Sequence, residues 1–334
     1  MTIESTAVAA RPPRTGILYL SLVLVASVLG ARAFGVDDVP VLETFVVIFV
    51  SIVIEALPFV LMGAFVSALI EVYVPDRAFA AIGRLPLGFQ LPAAALGGFA
   101  FPVCECGSVP VARRLISKGM HPAAGLAFML ASPILNPIVL ASTIVAYSGR
   151  GLAWQMTLGR AGLGLVLAIA AGWAIGTDKA SDLLRPRRED AHVHDFAGDR
   201  HARKGAFVEH LAGDFFFMGR FVVIGAALAA ILQTMIPQSI VSGVARNPIV
   251  GSLALMAIAF VLSLCSEADA FVAVSFTQFP LGSQLAFLVF GPVVDAKLAF
   301  LYGATFRRRF VARLVIVAVP IVLAGSLWFE ALVA

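Results

Sequence analysis

Two thiols, a carboxylate and a hydroxyl stand together in an otherwise apolar part of the sequence, between Pro102 and Pro110. The segment reads PVCECGSVP, so that Cys104 and Cys106 flank Glu105. A polar, proline-bounded break in a membrane-spanning run is costly, because lipid offers no partners for the freed backbone groups. Such segments are usually there for function. The residue types indicate a polar site inside a membrane, where thiolates would favour a soft ligand.

A third thiol, Cys265, opens a second polar break that reads CSEAD and contains Glu267 and Asp269. All three cysteines lie in apolar sequence and their number is odd, which argues against a disulfide framework. Cys104, Cys106 and Cys265 could hold a soft metal ion, or a trivalent arsenic species that bonds to sulfur. They could equally be small apolar residues packed at a tight helix break.

Five acidic residues interrupt the apolar runs, and a charge at the bilayer centre costs about 2.5–3.5 kcal/mol on insertion scales. They are Glu55, Glu105, Glu267, Asp269 and Asp295. We expect them to be protonated, or paired with Lys297 or with a substrate. Proton coupling through Glu267, Asp269 or Asp295 is one hypothesis, whereas Glu55 could be a hydrated residue at a cavity mouth.

Two further breaks carry proline, which removes a backbone donor and clashes with the preceding turn. They are Ser132–Pro137, with Asn136 inside it, and Gly291–Asp295. Lys297 is two residues from Asp295, so the two would not share a helix face, and a direct pair requires the second of these breaks.

The four breaks belong to an internal repeat. Cys104 matches Cys265, Asn136 matches Asp295 and Pro75 matches Pro237, in the same order and with a nearly constant separation. Repeats with broken segments at the midplane are a common architecture of secondary transporters. The sequence therefore predicts that the four breaks meet near the midplane.

The composition excludes an ordinary soluble protein. Of 334 residues, 60% are hydrophobic and 13% charged, against about 25% charged in soluble domains. Several apolar runs are long enough to span a bilayer. The net charge of +4 comes from basic residues at span ends without interleaved aromatics, which argues against nucleic-acid binding. No Walker motif, Ser-His-Asp arrangement or metalloprotease helix is visible, so we expect neither an enzyme nor a resident cofactor.

Loop charge favours one topology. If the segments 91–112 and 249–275 each enter and return on the same side, nearly all basic loop residues fall in the cytoplasm, as the positive-inside rule requires. Each repeat then has three crossings, and the second repeat is inverted relative to the first. We predict an all-α, polytopic membrane protein with about 7–9 transmembrane helices.

The predicted organisation has four parts. Residues 1–40 hold a polar tail and a first apolar run, from Ile17 to about Phe34, which we interpret as a retained helix rather than a signal peptide. Residues 41–176 form repeat A and residues 206–334 form repeat B. Residues 177–205 form a mobile cytoplasmic linker, whose histidines could bind a metal ion or simply lie in a solvated loop.

The motifs Phe101–Ala112, Ala131–Pro137 and Cys265–Asp269 resemble those of a bacterial family of predicted permeases that includes the organoarsenical efflux permeases. The resemblance covers about residues 42 to 310. It implies a multi-pass permease of the bacterial inner (plasma) membrane. In one branch of the family it implies export of trivalent organoarsenicals through paired cysteines, which would fall on Cys104 and Cys106.

The expected function is export of a soft, thiol-binding solute, with the three thiols as metal or arsenic ligands. The expected substrate-binding set is Cys104, Glu105, Cys106, Ser108, Asn136, Cys265, Glu267, Asp269 and Asp295. Besides the bilayer and the solute, the protein could contact copies of itself in a homo-oligomer. The alternatives are a permease for another metal ion or small metabolite with structural cysteines, and the membrane subunit of a larger complex.

Overall fold

The computed structural model describes residues 40–74, 85–100, 103–176, 179–186, 200–235 and 247–333. The predicted first helix, the matched prolines Pro75 and Pro237 and the middle of the linker lie outside these residues. Within them the chain forms thirteen α-helices and no strand, which confirms the predicted all-α class.

The helices of the two halves follow the same order of long, short and broken elements. Repeat A consists of α1 Pro40–Tyr73, α2 Leu87–Ala100, α3 Glu105–Ser117, α4 Pro122–Leu135, α5 Pro137–Ser148 and α6 Ala153–Ile175. After α7 (Ala180–Leu183), repeat B consists of α8 Arg200–Met235, α9 Pro248–Leu262, α10 Asp269–Ala273, α11 Leu281–Phe290, α12 Ala296–Thr305 and α13 Arg309–Val333.

Five segments of the described residues are long and apolar enough to cross a membrane. They are α1, α6, α8, α13 and the broken pair α4–α5, which spans Pro122–Ser148. The pair α11–α12 occupies the matching place in repeat B. Large apolar side chains such as Trp154, Trp173 and Trp328 are exposed on the outside of the bundle, where a bilayer would cover them.

Matched helices of the two repeats pack against each other in opposite directions. In the α1–α8 pair, Tyr73 lies beside Phe207, and Ser67 lies deeper along α1 beside Asp214 of α8. In the α6–α13 pair, Gly159 faces Phe329 and Leu163 faces Gly325. Since each pair is antiparallel, the second repeat is inverted relative to the first, as the loop charges predicted.

The segment from α9 to α10 folds back instead of crossing. At its start, Ser252 Oγ lies 3.1 Å from Ser283 Oγ, near the beginning of α11. Ala259, farther along α9, approaches Gly291 at the end of α11. On the return, the Gln284 side chain of α11 donates to the carbonyl oxygens of Phe276 and Phe279, at 3.0 and 3.1 Å. Both ends of the segment therefore lie at the same end of α11.

Repeat A shows the matching arrangement. Gly98, near the end of α2, packs against the backbone of Ser132, near the end of α4. On the return, Ile116 of α3 packs against Gly125, near the start of α4. The polar break between α2 and α3 is thus the innermost point of a hairpin-like segment.

Close helix packing holds α3 in place. A Cβ atom on Gly63 of α1 would lie 2.2 Å from the Cα of Gly107 in α3. Only glycine at this position lets the two backbones approach so closely, a device common where membrane helices meet. The N-terminal turn of α3, which carries Glu105 and Cys106, is fixed by this contact.

The beginning of the linker is held to the other repeat. Leu184 forms an isolated antiparallel bridge with Phe306, in which Arg185 N donates to Thr305 O and Arg307 N donates to Leu183 O, both at 3.0 Å. The Arg113 guanidinium of α3 donates to Thr305 O at 3.3 Å and to Arg185 O at 2.8 Å. The expectation of a mobile loop from 177 onward is therefore wrong for 179–186, because these backbone groups are paired.

The other end of the linker also differs from the expectation. Helix α8 begins at Arg200, within the predicted loop, because Arg203 and Lys204 are good helix formers and continue α8 beyond its apolar part.

Candidate functional site

Three of the four breaks meet in the interior around Glu105. Its carboxylate accepts a hydrogen bond from Ser266 Oγ at 2.9 Å and forms an ion pair with Lys297 Nζ at 2.8 Å. Ser266 belongs to the break between α9 and α10, and Lys297 to the first turn of α12. Glu105 is 1% exposed, and it lies in the first turn of α3, where the helix dipole stabilises a negative charge.

Lys297 is shared between two acids. Besides Glu105, its ammonium lies 3.6 Å from Asp295 Oδ2, and it donates to the carbonyl oxygens of Ser263 and Leu264 at 3.1 and 3.3 Å. Asp295 is the extended N-cap residue of α12, and its side chain accepts from Leu298 N at 2.6 Å. Because Asp295 lies outside the helix, the two side chains can meet despite their spacing of two.

A second buried ion pair joins the repeats. Arg160 of α6 forms a bidentate pair with Asp269 of α10, at 2.8 and 2.7 Å. It also donates to Thr143 Oγ1 at 2.9 Å and to Ser266 O at 3.2 Å. Arg160 is 0% exposed. Since buried charges persist only when paired and hydrogen-bonded, Asp269 serves first to hold α6 against the second break.

The three cysteines are buried and none forms a disulfide. The Cys104 and Cys106 side chains lie next to each other at the start of α3. Cys265 lies across the interface in a different set: its Sγ and one carboxylate oxygen each of Glu105 and Glu267 all lie within 4.8 Å of one another. Among the described residues, the three sulfurs do not form a set of that kind.

Glu267 lies beside Cys265 and Glu105 at the second break. Both of its carboxylate oxygens are inaccessible to solvent and have no hydrogen-bond partner within the described part of the chain. One oxygen of Asp295, Oδ2, is also without a hydrogen bond there. A buried carboxylate oxygen without a partner is unfavourable, so a proton or a cation that binds there would stabilise the site.

Two residues expected to bind substrate have local structural roles. The Ser108 hydroxyl donates to Glu105 O within α3, at 3.0 Å. Asn136 caps α5 by accepting from Ile138 N at 2.9 Å. The matching position in repeat B is held by Asp295, which also caps a helix, so this pair of matched residues serves to start the second half of each broken crossing.

Sequence reasoning missed Arg160, Thr143 and Ser266. The signal for Arg160 was a single arginine in the apolar run 153–175, which should have been taken as a buried functional or structural charge. Ser266 gave no signal, because serine is common at breaks and its partner is 161 positions away.

Most of the site is buried. Glu105, Cys104, Cys106, Cys265, Asp295 and Lys297 are each at most 4% exposed. A cavity of about 490 Å³ lies elsewhere, at the end of the bundle that carries the linker. Its lining is Ile175, Asp182, Leu183, Arg307, Arg308, Arg309, Phe310 and Arg313.

Comparison with known proteins gives a consistent picture. Residues 41–330 match the family described as "Predicted permease". The UPF0718 protein YcgR of Bacillus subtilis (strain 168) is 43% identical over 282 residues, which cover 84% of this chain and 95% of that protein.

A Streptococcus mutans protein (serotype c, strain ATCC 700610 / UA159) carries the provisional name of a two-component membrane permease complex subunit. It is 34% identical over 271 residues, 80% of this chain and 89% of its own. No solved structure gives a significant match.

Proposed function

The chain belongs to this family of predicted permeases, and we propose that it exports a soft, thiol-binding solute across the bacterial plasma membrane through the buried site at the breaks. The observation that carries the proposal is the meeting of thiols and carboxylates from both repeats, between helices that expose apolar side chains outward. A trivalent organoarsenical is the first candidate solute, with Cys104 and Cys106 as its ligands.

The inverted repeats support an alternating-access cycle. Glu105, Lys297, Arg160 and Asp269 form contacts that cross the interface between repeats. Rocking of one repeat against the other would change those contacts and expose the pocket to one side at a time. The buried cluster described above would correspond to an occluded arrangement in that cycle.

Uptake by everted membrane vesicles tests the proposal, because export by the cell becomes uptake by the vesicle. We expect vesicles that contain the protein to accumulate trivalent methylarsenite, and the Cys104→Ser/Cys106→Ser variant to fall to the level of vesicles without it. Ser148→Ala is the matched control, since its exposed hydroxyl bonds only locally, to Val145 O. Undiminished uptake by the double variant would remove the two cysteines from the mechanism.

A second candidate function is that of a membrane subunit in a larger complex. The provisional name of the Streptococcus mutans relative favours it. Flux through proteoliposomes that contain only this purified chain would exclude an obligate partner. Flux that requires a co-expressed second protein would establish one.

A further inference from the structure

We propose that Cys265, Glu267 and Glu105 form a mixed thiolate–carboxylate site for a divalent cation of borderline softness, such as Zn²⁺, and that the Lys297 ammonium occupies Glu105 when the cation is absent. The inference rests on the proposed permease function and names a solute class for its pocket. The cation would be cargo, held by one ligand atom from each of the three side chains.

The ligand set decides the class of solute. The three ligand atoms lie within 4.8 Å of one another, which lets one ion contact all of them after a small adjustment, since Zn–S and Zn–O bonds are about 2.0–2.3 Å long. One thiolate with two carboxylates is softer than the all-oxygen sites that Mg²⁺ and Ca²⁺ prefer. It is harder than the all-sulfur set that trivalent arsenic would take from three thiols. Zinc sites that keep an open position likewise use three protein ligands.

The orphaned carboxylate is the independent observation that points to a ligand. Glu267 has two solvent-inaccessible oxygens with no hydrogen-bond partner in the described residues, and one of them belongs to the ligand set. In contrast, Asp269, two residues later, is fully paired by Arg160. Within this break, the protein pairs Asp269 with its own arginine and leaves Glu267 available to a ligand.

Charge in the pocket favours the binding of a cation at these three ligands. Glu105, Glu267 and Asp295 surround a single ammonium, that of Lys297. Glu55 of α1, which is half-buried, interacts electrostatically with both Glu105 and Lys297. Carboxylates that outnumber the cations around them in a low-dielectric pocket attract a positively charged ligand.

Lys297 can pair with Asp295 instead when a cation binds Glu105. Its ammonium lies 2.8 Å from Glu105 Oε1 and 3.6 Å from Asp295 Oδ2, and the latter oxygen has no hydrogen bond. A shift of about one ångström would bring Lys297 into hydrogen-bond distance of Asp295. The tethered ammonium therefore neutralises Glu105 in the empty carrier and Asp295 in the loaded one.

Cobalt(II) binding to the purified protein in detergent tests the site, because Co²⁺ replaces Zn²⁺ and gives a charge-transfer band when a thiolate coordinates it. We expect one bound Co²⁺ with such a band in the wild-type protein. Cys265→Ser should abolish the band, and Glu267→Gln should weaken binding by more than about tenfold, since even residues that only support a ligand cost 10- to 100-fold. Glu71→Gln should bind Co²⁺ as the wild-type protein does. Glu71 is an acid of α1 that pairs with Arg114, away from the pocket.

Two variants make the assignment sharper. Cys104→Ser/Cys106→Ser should keep the Co²⁺ band, because those sulfurs are outside the ligand set. Lys297→Met should bind Co²⁺ more tightly by removing the competitor; Lys297→Arg, which keeps the charge, controls for loss of folding.

A band that survives in Cys265→Ser, or that disappears in the Cys104→Ser/Cys106→Ser variant, would overturn the inference. Folded protein that binds no Co²⁺ at all would overturn it too. If methylarsenite uptake nevertheless depends on Cys104 and Cys106, the permease proposal stands without the cation site.

Discussion

Ser266 Oγ donates a hydrogen bond to Glu105 Oε2 at 2.9 Å, and the two residues occupy matching positions in the two repeats. Cys104 matches Cys265, so the residue after each cysteine is Glu105 in one repeat and Ser266 in the other. Residues related by a two-fold axis contact each other only where they lie next to that axis. The two breaks therefore meet at the pseudo-symmetry axis of the molecule, where a carrier of inverted repeats places its solute.

Two buried ion pairs join the halves near this axis. Each break contributes an acid, Glu105 or Asp269, and each acid pairs with a base from the opposite repeat, Lys297 or Arg160. Helix α3 of repeat A packs on α12 of repeat B. The matching helices, α10 of repeat B and α5 of repeat A, pack on each other in the same way.

Replacing Arg160 with alanine should destabilise the protein strongly. Removal of one partner of a buried pair leaves an uncompensated charge and costs about 3–5 kcal/mol, here that of Asp269. Thermal unfolding of the purified protein in detergent measures the effect. Arg150→Ala is the matched control, because Arg150 is exposed and only reaches Gln284 Oε1 at 3.4 Å. Equal midpoints for the two variants would contradict a structural role for the Arg160–Asp269 pair.

Paired cysteines at positions 252 and 283 should form a disulfide. The two native hydroxyl oxygens are 3.1 Å apart, so the two side chains already meet, as the partners in a disulfide must. The experiment uses a background in which the three native cysteines are serine, and follows cross-linking by the mobility shift after oxidation. Cysteines at 117 and 283 serve as the control pair and should remain reduced. If the 249–275 segment crossed the membrane, positions 252 and 283 would lie on opposite sides of it, and this disulfide would not form.

Single cysteines at positions 117 and 275 should be labelled from opposite sides. Both residues are exposed and lie at opposite ends of the bundle. The positive-inside rule places Ser117, near Arg113, Arg114 and Lys118, in the cytoplasm. An impermeant maleimide should therefore label Ser275→Cys in intact cells and Ser117→Cys only in everted vesicles. Native thiols contribute little, because all three are buried. Labelling of both positions in intact cells would be inconsistent with the inverted, folded-back topology.

Gly63→Val should disrupt the packing of α3. Even a Cβ atom at Gly63 would lie 2.2 Å from Gly107 Cα, so the helices must separate, and overpacking of this kind costs about 1–3 kcal/mol or more. Loss of the monodisperse peak in size-exclusion chromatography reports the damage. Gly162→Ala is the control: nothing lies within 4 Å of its added Cβ, and alanine favours the helix. A well-behaved Gly63→Val protein would show that the close approach of α1 and α3 is dispensable.

The helical breaks and the repeat could be predicted from sequence because proline and acids inside apolar runs are costly and therefore informative. Cys104, Asn136 and Asp295 each cap a helix in the structure, and Cys265 lies in the break between α9 and α10. The folding back of 249–275 followed from loop charge, although the segment is long enough to cross.

The partners of the buried charges could not be predicted in this way. Pairing of Arg160 with Asp269 depends on how the two repeats dock, and no local pattern encodes that docking. Asn136 caps α5, a role that a polar residue among prolines also predicts, and its predicted part in substrate binding stays a prediction. The predicted three-thiol ligand set stays a prediction. In the described residues, the set of ligand atoms that includes Cys265 contains two carboxylates and no second sulfur.

The pairing of residues 183–185 with residues 305–307, together with the hydrogen bonds of Arg113 to both segments, forms a fixed contact between the two halves. These four hydrogen bonds clamp the chain leaving the first half to the turn between the last two helices of the second. Any swing of one half against the other must either pivot about this clamp or rupture it. The opposite end of the bundle, around Tyr147 and Gln284, is joined across the halves, among the described residues, by side-chain hydrogen bonds alone, so the alternating-access cycle proposed above would break backbone pairing at one end and only side-chain bonds at the other.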